Sequence, residues 1–378
     1  MTFDETLAEQ IRLCAACPKM CRHVCPTFFA WRSDSPTPHG RALLIHQDLV
    51  GTRKIDDRGI EVLYQCLECS HCLTWCKPEV DIASIVEQKR KELVAEGRRP
   101  GGLTEMAQAI KECHNPFSEP HESRNNWLSA NGKKKGKSLL YFVGCTSSYR
   151  EKEIAANTVD LLESLGYRVL VAGGSQGEWC CGSPLFRTGD VELGMELAQH
   201  NTEMLNRMNA EEIIVTCPGC FRSLSKDYPA NGLMINKRVR HISQLLNEIK
   251  ESLPVFDFEE KITYHDPCHL GRHSKIYDEP RNVINRVSGS KLVEMERTRE
   301  NAMCCGNGAG LRTLFPEHAK KIGSERVRQA QSTGASILVT SCPFCKNMLG
   351  SQAENSLTVL DLPEFVLMAM RGRKLKTH

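Results

Sequence analysis

Residues 179–184 read WCCGSP, and residues 303–308 read MCCGNG. Adjacent thiols are awkward neighbours, because a disulfide between them closes a strained small ring. One tetrahedral metal ion takes ligands two to four residues apart, so it does not explain the pairs either. Each pair sits inside a larger pattern. Cys145 ends LLYFVGC, Cys180 and Cys181 follow, and Cys217 and Cys220 lie in TCPGC. Cys268 ends ITYHDPC, Cys304 and Cys305 follow, and Cys342 and Cys345 lie in SCPFC. Equivalent positions are 123, 124 and 125 residues apart (Cys145 to Cys268, Cys180 to Cys304, Cys217 to Cys342). This is an internal repeat with almost no drift.

The residues between these cysteines predict the fold. SLLYFVG, RVLVAG, EIIVTC, KITYHD and SILVTSC are short apolar or β-branched runs of the kind that form buried strands. Helical patterns alternate with them: EIAANTVDLLESLG, VELGMELAQHNTEMLNRM and HAKKIGSERVRQAQ. Alternating strand and helix implies a parallel sheet in each repeat, with ligands gathered at the carboxyl ends of the strands. Glycine after each cysteine pair lets the backbone turn sharply so that both sulfurs face one site. The expected class is α+β overall: a helical two-cluster N-terminal domain, then two tandem α/β repeats with parallel sheets. The expected boundaries are 1–100, a connecting helix and basic linker at 101–137, and repeats at 138–255 and 256–378.

The N-terminal part carries two further cysteine runs. CAACPKMCRHVCP supplies Cys14, Cys17, Cys21 and Cys25, and CLECSHCLTWCKP supplies Cys66, Cys69, Cys72 and Cys76. The second has the bacterial ferredoxin spacing, and the first has one extra residue in its middle gap. In two-cluster ferredoxins three cysteines of a run hold one cubane and the fourth ligates the other. By that likeness, Cys14, Cys17, Cys21 and Cys76 hold one [4Fe–4S] cubane, and Cys66, Cys69, Cys72 and Cys25 hold its partner. Structural zinc sites favour paired C-x2-C knuckles over tight runs of four. The sets use eighteen of the 19 cysteines and leave Cys113, read as a buried or incidental thiol.

Bulk composition sets limits. A hydrophobic share of 40% and a charged share of 25% are ordinary for a globular chain. A formal net charge of +3 implies neither a nucleic-acid nor an anionic-membrane partner. The basic run GKKKGK at 132–137 reads as a solvated linker. No stretch is apolar enough to insert in a membrane, and the acidic start MTFDETLAEQ lacks the apolar core of a secretory signal. The expected location is the cytoplasm, with a partner able to hold the chain at the inner face of the membrane. In that reducing setting so many cysteines read as metal ligands or redox groups.

Five thiols per repeat exceed what a cubane needs. The surplus fits a cluster opened out by adjacent cysteines, and a cubane with one spare thiol is the alternative. The whole pattern resembles the D-type catalytic subunit of heterodisulfide reductases and related CCG-domain iron–sulfur proteins. YHDPCHLGR at 264–272, CCGNGAG at 304–310, and NPF at 115–117 ahead of Arg124 and Trp127 add to the likeness.

The resemblance implies two noncubane [4Fe–4S] clusters facing one another around a small-molecule disulfide. Cys145, Cys180, Cys181, Cys217 and Cys220 would hold the first, and Cys268, Cys304, Cys305, Cys342 and Cys345 the second. The implied reaction is two-electron cleavage of the disulfide, or oxidation of two thiols, with electrons passing singly through the cubanes. A second branch of relatives, the iron–sulfur subunits of glycolate, lactate and glycerol-3-phosphate dehydrogenases, only relays electrons from a flavin protein. Those commonly have incomplete cysteine sets, whereas both sets here are complete. His265 and His269 flank Cys268 and could give a hydrogen bond or a proton to sulfur, or simply hold the loop. His269 is the tentative catalytic histidine. Arg272 is open to two readings, a holder of an anionic substrate group or a salt bridge. The Lys and Arg residues of the helix expected at 81–99 read as its solvated face. AGGSQG at 172–177 lacks a dinucleotide fingerprint, so electrons must come from a partner. Candidates are a membrane cytochrome b, a bifurcating flavoprotein or an electron-transfer flavoprotein.

Overall fold

The computed structural model describes residues 5–129, 136–174 and 176–372, so most of the GKKKGK run lies outside the described residues. The N-terminal part is helical. Helices Glu5–Ala15, Pro38–Leu49, Asp57–Tyr64 and Ile82–Ala95 pack around Ile11, Ile45, Leu63, Ile85 and Val86. Side-chain caps start three of them: Thr37 accepts from Gly40 N, Asp56 from Gly59 N, and Asp81 from Ala83 N and Ser84 N.

Two parallel sheets follow. The first contains β1 (Ser138–Phe142), β2 (Arg168–Leu170), β3 (Glu212–Val215) and β4 (Arg238–His241), in the order β2-β1-β3-β4. The second contains β5 (Ile262–His265), β6 (Ile337–Thr340) and β7 (Thr358–Asp361), in the order β5-β6-β7. A lone parallel bridge, Ile262 to Leu292, takes the place that β2 has in the first sheet. The predicted helices form as Lys152–Ser164, Val191–Arg207 and Pro316–Gln331. One continuous core joins the sheets, with Leu139 and Ile214 from the first, Tyr264 and Val339 from the second, and Phe365 from the helix Leu362–Met370. The expected α+β class with two parallel-sheet repeats is what the chain adopts.

The helix Ile82–Ala95 departs from expectation. Its basic residues are not all on a solvated face: Arg90 is fully buried and Lys89 is 6% exposed. Lys89 Nζ donates to Asp48 Oδ2 at 2.8 Å and to Glu92 Oε2 at 2.9 Å. Arg90 reaches across to both repeats. The reason is acceptors: backbone carbonyls and Glu68 converge on the helix there, and only a guanidinium has enough donors to meet them. Among the described residues, no helix is long and apolar enough to cross a membrane.

Candidate metal centre

The cysteine groups of the repeats gather beyond the carboxyl ends of the strands. Cys145 lies just past β1, Cys217 just past β3, and Cys180 and Cys181 on the connection out of β2. These strands are neighbours, so their loops meet. Cys268 past β5, Cys342 past β6, and the Cys304–Cys305 loop repeat the arrangement. Cys342 is the N-cap of the helix Pro343–Ala353, which starts with proline. The positive helix end there favours an anionic sulfur. The glycine after each pair has the conformation its position demands, with φ of +77° at Gly182 and +93° at Gly306.

The sulfurs form two matching files. In the first repeat Cys145 meets Cys180, Cys180 meets Cys181, Cys181 meets Cys220, and Cys220 meets Cys217. In the second, Cys268 meets Cys304, Cys304 meets Cys305, Cys305 meets Cys345 at 3.4 Å, and Cys345 meets Cys342. Two contacts link the files to each other and to the N-terminal part. Cys217 meets Cys342 across the repeats, and Cys304 meets Cys69. Nine of these ten repeat cysteines are buried, and Cys268 is half-buried.

The N-terminal cysteines fall into two groups. Burial, then Cys21, Cys17 and Cys76, push the Cys14 thiol up to about 12, so these four lie together. The Cys72 thiol is raised by burial and then by Cys69, Cys66, Cys25 and Cys21. Cys25, Cys66, Cys69 and Cys72 also line one small cavity, beside Thr27 and Arg41. Cys76 thus lies near the first run, and Cys25 lies near Cys21 as well as near the second run. Cys113 stands half-buried at the end of the helix Gly101–Cys113.

These donor sets fit iron–sulfur clusters. They are all thiol, they are buried or half-buried, and crowded sulfurs push most of the thiols up, as at Cys14, Cys72, Cys180 and Cys304. That repulsion is relieved when iron takes the thiolates. Among the buried polar atoms of the second repeat that make no hydrogen bond within the described residues are Arg272 Nη2 and His265 Nε2. Arg272 spends its other donors on backbone carbonyls, from Nε to Cys69 and from Nη1 to Glu300 (3.0 Å) and Ala302 (2.7 Å). Those partners are carbonyls rather than carboxylates, and the guanidinium faces Cys69, Cys268 and Cys304. His269 is half-buried with its ring 4.6 Å from that of His273. Burial, then His273 and the guanidiniums of Arg222, Arg187 and Arg272, hold it well below its usual range, hence neutral.

Sequence reasoning missed the charged clamps behind the strand ends. Arg124 donates towards Cys145 Sγ at 3.7 and 3.8 Å and pairs with Glu178. Glu178 in turn accepts from Val143 N at 2.6 Å and Gly144 N at 2.8 Å, which fixes the turn into Cys145. In the second repeat Asp266 takes Arg281 at 2.7 and 2.8 Å and Arg299 N at 2.8 Å. These partners are far apart in the chain and carry no local pattern.

Burial opposes ionisation of Asp266, but the Arg281 hydrogen bonds more than offset it and hold the carboxyl below its usual 3.8. A depressed carboxyl contributes stability that is complete above its unfolded pKa and is lost as pH falls through the folded one. Acid unfolding monitored below about pH 4 should therefore be steeper for the native chain than for Asp266→Asn. Equal slopes would show that Asp266 carries no linkage.

A profile of the cysteine-rich domain family matches residues 139–225 and 262–350. The chain is 33% identical to the D-type subunit of the dihydromethanophenazine:CoB–CoM heterodisulfide reductase of Methanosarcina barkeri, over 96% of this chain and 94% of that one. It is 31% identical to the EtfAB:quinone oxidoreductase of Syntrophomonas wolfei, over 82% of this chain and 47% of that one. A hypothetical protein from Helicobacter pylori of known crystal structure shares the fold, with a TM-score of 0.59 at 12% identity over 99% of this chain and 74% of that one. The chain is an iron–sulfur redox subunit of oxidoreductase type, and it belongs to the family of D-type heterodisulfide reductase subunits.

Proposed function

We propose that this chain is the subunit of a heterodisulfide reductase-like complex in which a disulfide is cleaved, or two thiols are oxidised. The unbroken file of sulfur contacts carries the proposal. It runs from the N-terminal groups through Cys69 and Cys304 into the second repeat, and through Cys342 and Cys217 into the first. Cys14, Cys17, Cys21 and Cys76 would hold one cubane, and Cys25, Cys66, Cys69 and Cys72 the other. Cys145, Cys180, Cys181, Cys217 and Cys220 would hold one noncubane cluster, and Cys268, Cys304, Cys305, Cys342 and Cys345 the second. The units would be 1–100, 101–137, 138–255 and 256–378.

Bound clusters would supply electrons one at a time and an iron face for sulfur. In the reaction the S–S bond breaks, two electrons enter, and two protons end on two thiols. The chain's own part is to exclude water and hold charge. Arg124 and Arg272 place one buried guanidinium at each repeat site, and half-buried Cys268 and His269 mark the side open to a substrate. A neutral His269 can accept a hydrogen bond or pass a proton, but it is not a resident acid. Electrons would come from a partner protein: a membrane cytochrome b, a bifurcating flavoprotein or an electron-transfer flavoprotein. The partner would also decide whether the complex sits at the cytoplasmic face of a membrane.

The test is iron and acid-labile sulfide on chain purified without oxygen, with EPR before and after thiol addition. Four clusters give about sixteen iron per chain, and a new signal should appear with thiol. About eight iron, with signals indifferent to thiol, would leave an electron relay of the kind seen beside flavin proteins.

A further inference from the structure

The two repeat sites match in sulfur count and file order, but not in one strand-end residue. His265 closes β5, and the residue equivalent to it in the first repeat, at the close of β1, is Phe142. Both side chains are buried. Arg326, also buried, donates its Nε–H to His265 Nδ1 at 3.0 Å. A guanidinium cannot accept, so Nδ1 must be the bare nitrogen and the neutral ring carries its proton on Nε2. Nε2 makes no hydrogen bond among the described residues, and a ring nitrogen and the Cys305 and Cys345 sulfurs lie within 4.8 Å of one another.

This tautomer decides between two roles. Metal ligation through Nε2 would need the proton on Nδ1, where it would face the Arg326 N–H. Donation from Nε2–H to sulfur needs no rearrangement. We propose that His265 gives a hydrogen bond to the Cys305 sulfur and so sets the reduction potential of the second-repeat cluster above that of the first. The inference rests on both repeat sites holding clusters, as proposed above. Hydrogen bonds to cluster sulfurs stabilise the more negative, reduced state and raise the potential. Phe142 offers no donor. His241 in the first repeat spends its Nε2 on the Thr216 carbonyl at 3.1 Å. The charges differ too, since Glu178 balances Arg124 whereas Arg272 meets only carbonyls and Arg326 stands near Cys345, so replacing His265 alone isolates the imidazole's share. The step affected is a one-electron reduction with no bond made or broken. The second site, which touches Cys69, would then fill before the first.

The experiment is a redox titration of the anaerobic holoprotein, followed by EPR, in the native chain and His265→Phe. One midpoint should fall by about the equivalent of a tenfold change in its equilibrium constant, 59 mV for one electron. The other midpoint and the iron content should stay. About sixteen iron with unmoved midpoints overturns this inference alone, and loss of about four iron shows His265 to be a ligand instead. About eight iron in the native chain overturns both this and the cluster reading. Pulsed EPR on native chain labelled with 15N-histidine needs no variant. A weak coupling, from a nitrogen one sulfur away from the cluster, is expected. A directly bound nitrogen, or none, overturns the assignment.

Discussion

Replacing Arg90 by methionine should destabilise the folded chain by about 3–5 kcal/mol, the cost of removing one partner from a buried ion pair. Its Nη1 reaches Glu68 Oε1 at 2.6 Å and the Arg187 carbonyl at 2.8 Å. Nη2 reaches the carbonyls of Leu63 at 2.8 Å and Cys66 at 2.7 Å, and the group lies over the Tyr64 ring. Methionine fills the space but takes the guanidinium from Glu68 and from the carbonyls of Arg187, Leu63, Cys66 and Ala309, leaving Glu68 only Arg187 at 3.8 Å. Against a total stability of about 5–15 kcal/mol this is a large fraction. The measurement is the urea midpoint of the full chain, read by tryptophan fluorescence. Adding Glu68→Leu removes the stranded charge but not the stranded carbonyls, so only part of the loss should return. Full recovery would show that the carbonyls do not depend on the guanidinium.

The second large effect belongs to Gly306. A Cβ there would stand 2.5 Å from the Ala319 carbonyl oxygen, inside the helix Pro316–Gln331, on a backbone with φ of +93°. The left-handed conformation costs an L-residue about 1–2 kcal/mol, and forcing packed backbone aside costs about 1–3 more. Gly306→Ala should therefore lose several degrees or more in melting temperature and loosen the loop of Cys304 and Cys305. Gly182→Ala makes a useful contrast. Its Cβ would first meet the edge of the Phe186 ring at 2.9 Å, and a ring can turn where a carbonyl cannot. The expected order is Gly306→Ala worse than Gly182→Ala in both melting temperature and iron retained. Equal losses would mean that the helix Pro316–Gln331 yields freely.

Much of the fold is legible because its buried strands are continuous apolar runs. SLLYF, EIIV, ITYH and ILVT announce β1, β3, β5 and β6, and the doubled cysteine pattern announces the repeat. The last strand of each sheet gives no such signal. RVRH in β4 alternates charge with apolar residues, as an edge strand does, and TVLD in β7 is too short to stand out. The cysteine groups can be read from spacing, but their mutual contacts cannot. Nothing local says that Cys69 meets Cys304 or that Cys217 meets Cys342. Charged residues mislead most. EQKRKE reads as a wet helix face, yet Arg90 within it is sealed, because its acceptors come from segments distant in the chain. The same holds for Arg124 with Glu178 and for His265 with Arg326, whose partners no short window contains.

The Arg272 clamp has a consequence for how the chain is made. The carbonyl of Cys69 is held by a side chain that lies 203 residues further on. At about 5–20 residues per second, a ribosome needs roughly 10–40 s to cover that distance. Throughout that interval the second cysteine run is outside the ribosome without its final brace. That run therefore stays without this brace until the second repeat is translated.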